Sequence, residues 1–327
     1  MLTLDNIVIC PGESLPHRLL LPVDRLAVRT ALEAESPLHA LLAVVCYREE
    51  EFPSSGGSYF ESIGCSVQVT KRSVDGINII AMGRQRLRVE WERIRQPFSL
   101  RQVPVTVLPD SKSIPTPLAA IHWAASWPPW VYLQRDAHLL AKGAKAVYNE
   151  MVPHVVCQVP EPLALSFWLM RNFPFTGWQR QCLLSLDNVT ERLLTEMKWM
   201  KTDTIFCLPC QQRIARVADL VKLHKEGVSA HYVNSHAVVH DVITLRYVNN
   251  IVVEGNPQPE HSWFDGYAWQ IIYCSECGNH LGWKFSAAED HYSGFFGLRR
   301  TAIKNTVLSE MVINVSGDHD VVGVNEG

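Results

Sequence analysis

Four cysteines in two close pairs are the residues of this chain whose spacing most clearly indicates chemistry. Cys207 and Cys210 form one Cys-x-x-Cys pair, and Cys274 and Cys277 form the second. A structural Zn²⁺ ion takes four thiolates in a closed tetrahedral shell, and two such pairs supply that shell. The spacing therefore predicts one structural zinc ion at the base of a domain. Ordinary buried cysteines or a set of disulfides are the alternative.

Three tryptophans lie close in sequence to the second cysteine pair. Trp263 and Trp269 occur in HSWFDGYAW, and Trp283 occurs in HLGWKF. These indoles could simply be core, since a buried indole needs only a partner for its N–H group. The other interpretation is an aromatic cage, in which flat rings form walls and polar rim groups orient a ligand. His261 and Asn234 are candidates for that rim, although a single His or Asn in a β domain usually has only a structural hydrogen bond.

The composition excludes several classes of protein. A chain of 327 residues with 47% hydrophobic and 19% charged residues is typical of a globular protein with two or three domains. A net charge of −3 gives no basic surface for nucleic acid or for an anionic membrane. No apolar stretch is long enough to span a bilayer, and the N-terminus has no secretory signal pattern. The five remaining cysteines lie in apolar surroundings, as reduced thiols of a cytosolic or nuclear protein do. They are Cys10, Cys46, Cys65, Cys157 and Cys182.

The first third of the chain, residues 1–109, predicts a β-rich domain. Short segments rich in β-branched residues are bounded by Gly, Pro or Ser, as strands are. The composition of residues 51–57 indicates a loop. The expected strands cover residues 6–10, 41–47, 65–70, 77–82, 84–90 and 103–108.

Residues 110–200 predict a helical module, and residues 201–310 return to β structure. After a linker at 110–117 and the segment SWPPWVYL, Asp136 can cap a helix that Pro153 ends. Two further helices are expected at 161–171 and 188–200, and strands at 242–247, 250–254, 270–273 and 283–285. The module has more apolar side chains than its size needs, so we expect a partner to cover them. These side chains are Trp168, Phe173, Phe175, Trp178 and Trp199. We expect residues 311–327 to be a disordered tail.

These motifs together resemble a known family. The block EHSWFDGYAW…CSECGNHLGWKF, with the first cysteine pair and YVNSHAVVHD upstream, closely resembles the C-terminal ligand-binding domain of the cereblon family. PGESLPHRLL and MGRQRLRVE are similar to that family's Lon protease N-terminal-like domain, and SWPPWVYLQRDA is similar to the start of its helical bundle. The resemblance implies an α+β multidomain fold: a β-rich Lon N-terminal-like domain, a helical bundle and a zinc-pinned β-tent domain.

The resemblance also implies a function without catalysis. The chain would be the substrate receptor of a cullin-4 RING ubiquitin ligase, in the cytoplasm and nucleus, and its helical bundle would bind the damaged-DNA-binding adaptor. Its third domain, the thalidomide-binding domain, would bind cyclic imides, either glutarimide drugs or C-terminal cyclic imides of proteins destined for ubiquitination and degradation. Trp263, Trp269 and Trp283 would be the walls and Phe285 the base. The other implied ligand-binding residues are Asn234, His236, Glu260, His261 and Ser262.

A cyclic imide suits such a pocket, because it offers one N–H donor between two carbonyl acceptors. Backbone groups and a His N–H can meet these atoms while indoles cover the methylenes. Five positions differ from, or vary within, the pattern usual in the family. Most of them are expected near the pocket or on the surface that would meet a recruited protein. They are Ser235, Val238, Asp265, Phe296 and Ile271.

Three other functions were weighed. A methionine sulfoxide reductase of the B type needs a redox-active cysteine after the second pair, and no cysteine follows Cys277. A Lon-like protease is rejected because the chain has no G-x-x-x-x-G-K-[ST] loop. A non-catalytic, zinc-stabilised scaffold whose aromatic residues are only core remains open. His236 and His240 have a spacing that can bind metal, but the surrounding valines indicate a strand or loop, so a second metal is not expected.

Overall fold

The structure is a computed structural model that describes residues 2–20, 22–33, 41–48, 59–93, 103–110, 128, 133–287 and 294–305. Four sequence-based expectations lie wholly or mostly outside these residues: the loop at 51–57, the linker at 110–117, the segment SWPPWVYL and the tail at 311–327.

The first part of the chain is a seven-stranded sheet. The strands run in the order β1-β3-β5-β6-β2, with β4 added to β3 and β7 added to β6. Strand β1 pairs with β3 in parallel, and the other pairs are antiparallel. The strands are β1 (Leu2–Asp5), β2 (Ser14–Arg18), β3 (Leu41–Arg48), β4 (Tyr59–Phe60), β5 (Ile63–Arg72), β6 (Asn78–Val89) and β7 (Val105–Val107).

This region differs from the sequence-based expectation in several details, and strands β1, β2 and β4 were not predicted. A helix, α1 (Pro22–Glu33), was not predicted. Residues 6–10 do not form a strand, although the side chains of residues 7–10 are all buried. Their apolar character therefore reflects burial in the core and not a strand. The segments expected at 77–82 and 84–90 are one continuous strand, β6.

Four helices follow. Asp136 caps the first as predicted, since its carboxylate accepts from the N–H groups of His138 and Leu139. One helix was missed, although its sequence carries a capping box in which Thr176 and Gln179 satisfy each other's backbone N–H groups. The helices are α2 (Ala137–Met151), α3 (Pro162–Asn172), α4 (Gly177–Ser185) and α5 (Val189–Trp199). No helix in the described part of the chain is long and apolar enough to cross a membrane.

The expectation that a partner covers the surplus aromatic residues is partly wrong. Phe173 and Phe175 are 0% exposed and lie in the chain's own core. Trp168 and Trp199 are partly buried and pack against that core. Only Trp178 of the five is exposed. Sequence position alone did not show that these rings belong to a core that also includes residues of the third part of the chain.

The third part contains two antiparallel sheets. The larger has the order β10-β11-β15-β14-β13-β12, and the smaller has the order β16-β8-β9. The strands are β8 (Thr204–Cys207), β9 (Arg213–Arg216), β10 (Ser229–Val233), β11 (Val239–Leu245), β12 (Ile251–Gln258), β13 (Tyr267–Cys274), β14 (His280–Ala287), β15 (Gly294–Arg299) and β16 (Ile303–Lys304).

The helices and the third part share one hydrophobic core. Leu165 and Leu193 of the helices belong to the same buried cluster as Ile205, Ile243 and Ile272 of the two sheets. The change of character near residue 200 is therefore a boundary in the sequence but not in the packing. The seven-stranded sheet has a second cluster of its own, which Val239 joins from the third part.

A buried ion cluster joins all three parts. Arg180 of α4 contacts Glu13 of the first part at 2.5 Å and Asp241 of β11 at 2.5 Å. Arg300 contacts Asp241 at 2.8 Å and also donates to the backbone carbonyls of Phe173 and Phe175. Two cations therefore face two anions in a site with almost no solvent. Burial alone would raise the pKa of Asp241, but Arg300 and Arg180 lower it to about 2.

Candidate functional site

The four predicted cysteines form one cluster. Their sulfur atoms all lie within 4.8 Å of one another. The Sγ atoms of Cys207 and Cys277 are 3.7 Å apart, and those of Cys210 and Cys274 are 3.6 Å apart. A disulfide would need about 2.05 Å, whereas four sulfurs at about 2.3 Å from a tetrahedral Zn²⁺ lie about 3.8 Å apart. The cluster therefore fits one structural zinc ion and does not fit disulfides.

The two cysteine pairs have the same local backbone. In the first, the N–H of Gln211 donates to the carbonyl of Cys207, and the N–H of Cys207 donates to the carbonyl of Gln212. In the second, Gly278 and Asn279 make the equivalent bonds with Cys274. Gln211 and Gly278 occupy the same place in these turns, and both have a positive φ, 63° and 70°. Each pair is therefore held in a preformed turn that directs two sulfurs to one point.

Lys304 gives a second test of the metal assignment. Its side chain is 1% exposed, and its Nζ atom has no hydrogen-bond partner within the described residues. Strand β16, which carries Lys304, pairs with β8, which ends at Cys207. A buried ammonium group without a partner is costly. A zinc ion with four thiolates carries net negative charge and would compensate the positive charge of Lys304. The buried lysine therefore supports a zinc site with four cysteine ligands.

The six-stranded sheet separates this cluster from the aromatic residues. The register pairs Trp269 with Phe285 and Ile271 with Trp283, so these four side chains lie on one face. Ile272 and Cys274 point to the other face and belong to the core shared with the helices. Strand alternation thus places the cysteine Cys274 and the indole of Trp269 on opposite sides of β13.

The aromatic face contains the three predicted tryptophans. The rings of Trp263 and Trp283 meet edge to face, with centroids 4.7 Å apart and an interplanar angle of 74°. Phe285 is 1% exposed and lies below them. A Cβ atom at Gly297 would lie 3.2 Å from the Phe285 ring and 2.8 Å from Val242, so glycine leaves room for this base.

The indoles differ in exposure and in their N–H partners. Trp283 is 9% exposed, whereas Trp263 and Trp269 are only partly buried. Trp263 donates its indole N–H to the carbonyl of Val233 at 3.1 Å, and Trp269 donates to that of Glu260 at 2.9 Å. The indole N–H of Trp283 has no partner in the described part of the chain. The indoles of Trp263 and Trp269 are thus fixed in orientation, and the indole N–H of Trp283 remains available as a donor.

The turn that carries His261 contributes backbone groups. His261 is exposed and has a φ of 58°, and the hydroxyl of Ser262 exchanges hydrogen bonds with the backbone of Phe264. Within the described residues, neither the carbonyl of His261 nor the N–H of Trp263 has a protein partner. Glu260 is exposed and contributes its carbonyl to Trp269. The turn therefore presents one free acceptor and one free donor near the indole of Trp263.

The predicted mouth loop is shaped by Asn234. Its side-chain oxygen accepts from the N–H groups of His236 at 3.0 Å and Val238 at 2.9 Å. The carbonyl of Ser235 accepts from Arg18 of the first sheet at 3.1 Å. His236 is exposed and makes no ring contact with the indoles within the described residues. Asn234 thus orders the loop, and the structure does not bring His236 against the indoles.

Sequence reasoning missed His240 and His280 as members of this site. Both imidazoles contact Trp283 with centroids 5.1 Å away, and His240 also contacts Trp263 at 5.7 Å. His240 lies on the same strand face as Tyr232, which stacks on Trp263. The alternation of β11 could have indicated His240, but Trp283, which its ring contacts, is distant in sequence.

Both imidazoles are held neutral. The Nε2 atom of His240 accepts from the amide of Asn234, and the Nδ1 atom of His280 accepts from Arg299 at 2.7 Å. His280 therefore carries its proton on Nε2, which donates to the carbonyl of Gly282. Burial, and then the charge of Arg299, lower the pKa of both rings, that of His240 to about 4.

Comparisons with known proteins agree with these observations. A family model described as "Yippee zinc-binding/DNA-binding /Mis18, centromere assembly" matches residues 204–316, which include all four cysteines. The chain is 29% identical to protein cereblon of Gallus gallus over 91% of this chain and 75% of that protein. It is 28% identical to protein cereblon of Danio rerio over 92% of this chain and 79% of that protein.

This chain is similar to cereblon along most of its length. A solved structure, the N-terminal domain of Mycobacterium avium complex Lon protease, aligns with 18% identity and a TM-score of 0.41, covering 61% of this chain and 95% of that one. The α+β fold class and the zinc-binding β region predicted from the sequence are confirmed.

The positions that depart from the cereblon pattern are not all at the mouth. Ser235, Val238 and Asp265 are exposed. Ile271 lies in the aromatic cluster. Phe296 is different, because it packs against the core shared with the helices on the other face of the sheet.

Proposed function

We propose that this chain is the substrate receptor of a cullin-4 RING ubiquitin ligase and binds cyclic imides on its aromatic face. The observation that carries the proposal is the arrangement around Trp263. Its ring meets that of Trp283 nearly at a right angle, while the backbone N–H of Trp263 and the carbonyl of His261 have no protein partner in the described part of the chain.

The chemistry of an imide matches these groups. The imide N–H would donate to the carbonyl of His261, and one imide oxygen would accept from the backbone N–H of Trp263. The indole N–H of Trp283 is a further donor. The ring methylenes would pack against the indoles, which removes their apolar surface from water. Each unpaired backbone group would gain a hydrogen bond, which gives orientation as well as affinity.

The proposed contact with the damaged-DNA-binding adaptor lies on the helices. Side chains with apolar surface left exposed there could be covered by a partner protein. They are Leu133 (42% exposed), Leu139 (51%), Val156 (70%), Leu163 (36%) and Trp178 (47%). Similarity to cereblon over most of the chain supports this role.

The imide proposal is tested by calorimetric titration with glutarimide and with N-methylglutarimide. We expect saturable binding of glutarimide and none of the N-methyl compound, because methylation removes the one donor and places a methyl group against a carbonyl. A protein with a C-terminal cyclic imide should compete with glutarimide. Equal affinity for both compounds, or no binding of either, would refute the proposal.

The adaptor proposal needs a separate measurement. Val156→Asp places a charge in the connection between α2 and α3, within the exposed apolar surface of the helical region, and should abolish co-purification with the adaptor. Glutarimide binding should be unchanged in this variant, which shows that the chain is folded. Val252→Asp, at an exposed valine of β12, is the matched control and should retain the adaptor. Unchanged adaptor binding by Val156→Asp would contradict the assignment.

A non-catalytic scaffold remains the second candidate, and one observation favours it. Trp283 and Phe285 are as buried as ordinary core residues, at 9% and 1%. In that case the aromatic face would only stabilise the sheet. The same titration decides between the two, since a core cluster binds no imide.

A further inference from the structure

Arg299 lies beside the proposed pocket without an acidic partner. It ends β15 and pairs with Val242 of β11, on the sheet face that carries the indoles. One guanidinium nitrogen donates to His280 at 2.7 Å and another to the hydroxyl of Thr301 at 3.3 Å. Both acceptors are neutral. Burial lowers the pKa of Arg299, and no described carboxylate acts to raise it.

The groups around Arg299 add no negative charge. His280 and His240 flank the ring of Trp283, and both are neutral imidazoles. The charge of Arg299 reaches both rings, since it lowers the pKa of each. His240 also contacts Trp263. The guanidinium group of Arg299 is therefore linked through these imidazoles to the indoles of Trp263 and Trp283.

Two carboxylates on strands of the same sheet are committed elsewhere. Glu254 of β12 is hydrogen-bonded to Tyr273, whose ring lies 5.6 Å from that of His280. Asp241 follows His240 directly, but strand alternation turns it to the other face, where Arg180 and Arg300 hold it. A half-buried guanidinium group without a carboxylate has unmet capacity for charge-assisted hydrogen bonds.

We propose that Arg299, with His280 and His240 beside it, forms an oxyanion subsite next to Trp283 that binds a carboxylate or a phosphate of the ligand. The proposal rests on the imide-binding function proposed above and adds a preference to it. Imide ligands, or protein segments ending in an imide, would bind more tightly when an acidic group lies close to the imide ring.

The first experiment compares two ligands that differ in one group. A glutarimide that carries a carboxymethyl substituent and its uncharged carboxamide analogue are titrated into the full chain at low and at high salt. We expect the acid to bind about tenfold more tightly than the amide at low salt, since a charge-assisted hydrogen bond is roughly twice as strong as a neutral one. The ratio should fall at high salt.

Three variants assign the preference to Arg299. Arg299→Gln keeps a donor for His280 but removes the charge, so acid and amide should bind equally. Arg299→Lys retains the charge and should keep most of the preference. Arg246→Gln, which changes an exposed arginine of the same domain, is the matched control and should behave as the wild-type chain does. Equal affinities in the wild-type chain, or a preference that persists in Arg299→Gln, would overturn the proposal.

A second experiment does not depend on imide binding. Acetate and inorganic phosphate are titrated separately while the imidazole signals of His240 and His280 are followed by NMR, with assignment from His240→Gln and His280→Gln. Saturable shifts in the wild-type chain that disappear in Arg299→Gln support the subsite even if neither imide binds. If the shifts saturate at a lower concentration of acetate than of phosphate, the subsite prefers a carboxylate. The reverse order shows that it prefers a phosphate. Shifts that never saturate, or that persist in Arg299→Gln, overturn it.

Discussion

The two faces of the six-stranded sheet have opposite characters. One face carries Cys274 and Ile272, continues into the helical core and holds Asp241, whose charge is compensated by Arg180 and Arg300. The other carries partly exposed indoles, free backbone groups and a cation without a counter-ion. Neighbouring residues of one strand, such as Ile271 and Ile272, serve different faces. The alternation of a strand thus lets one sheet stabilise the fold on one side and leave binding groups unmatched on the other.

Cys274→Ser should give the largest effect, because it removes a zinc ligand from the packed face. Metal binding in such sites contributes directly to folding, on the order of 10 kcal/mol in isolated fingers. Cys274 also belongs to the core shared with the helices, so we expect both the third part and the helices to unfold. The seven-stranded sheet has its own core and should remain folded. Metal analysis and hydrogen exchange measure both outcomes.

Cys182→Ser is the control for this variant, because Cys182 is partly exposed and lies outside the metal cluster. It should keep one zinc ion per chain. A wild-type chain without zinc would refute the metal site, and unaltered exchange in the helices of Cys274→Ser would refute the shared core.

Asp241→Ala should give the next largest loss of stability, because it leaves Arg180 and Arg300 buried with one anion fewer. Loss of one partner of a buried ion pair typically costs about 3–5 kcal/mol. Chemical denaturation should show this loss, while residual glutarimide affinity of the folded fraction stays the same because Asp241 lies on the opposite face. A loss below about 1 kcal/mol, the range of surface ion pairs, would contradict the role given to the cluster.

Acid should destabilise the packed face through the same carboxylate. The folded pKa of Asp241 is about 2, below the unfolded value of roughly 3.9, so its stabilisation is complete above that value and is lost as the pH falls towards 2. The shift corresponds to roughly 2.6 kcal/mol. Unfolding free energies measured between pH 5 and pH 2 should fall by more in the wild-type chain than in Asp241→Asn. Parallel curves for the two chains would show that another group is responsible.

Trp269→Ala tests the aromatic face with little effect on folding. This indole is partly exposed and makes no ring contact with another described aromatic, so the melting temperature should change little. Imide affinity should fall by about 2 kcal/mol if the ring is a wall. Trp283→Ala is a less specific test, because that ring is 9% exposed and its loss would leave a cavity.

Tyr247→Ala is the matched control for Trp269→Ala, as Tyr247 is an aromatic residue of the same domain with 66% exposure. The Tyr247→Ala variant should bind the imide with the affinity of the wild-type chain. A large fall in melting temperature for Trp269→Ala with no change in affinity would favour the scaffold.

The smallest expected effect concerns the two metal-binding turns. Gln211 adopts a left-handed φ at the place where the second turn has Gly278. A residue other than glycine in this region costs roughly 1 kcal/mol, so Gln211→Gly should stabilise the folded chain by up to about that amount. Thermal unfolding with zinc present measures this. A destabilised variant would show that the side chain of Gln211 contributes contacts that outweigh the strain.

Sequence patterns predicted the elements whose signals are local. The cysteine spacing predicted the metal cluster, Asp136 predicted a helix start, and the proximity of three tryptophans predicted one aromatic site. The imidazole of His240 and the guanidinium group of Arg299 could not be placed in this way, because the pairing of β11 with β15 brings them to one face of the sheet. Burial was also misjudged at Phe173 and Phe175, since covering residues far along the chain have no local signal.

The buried ion cluster has a consequence for how such chains diversify. Glu13, Arg180 and Asp241 each come from a different part of the sequence. The buried charge of each is compensated only while its partners in the cluster are present. A first part taken from a relative with another residue at the position of Glu13 would therefore bring a mismatch into the centre of the molecule. Exchange of whole parts between relatives would be selected against unless the matching charges moved with them. The three parts are thus constrained to evolve as one unit, although the function proposed here uses only one face of one sheet.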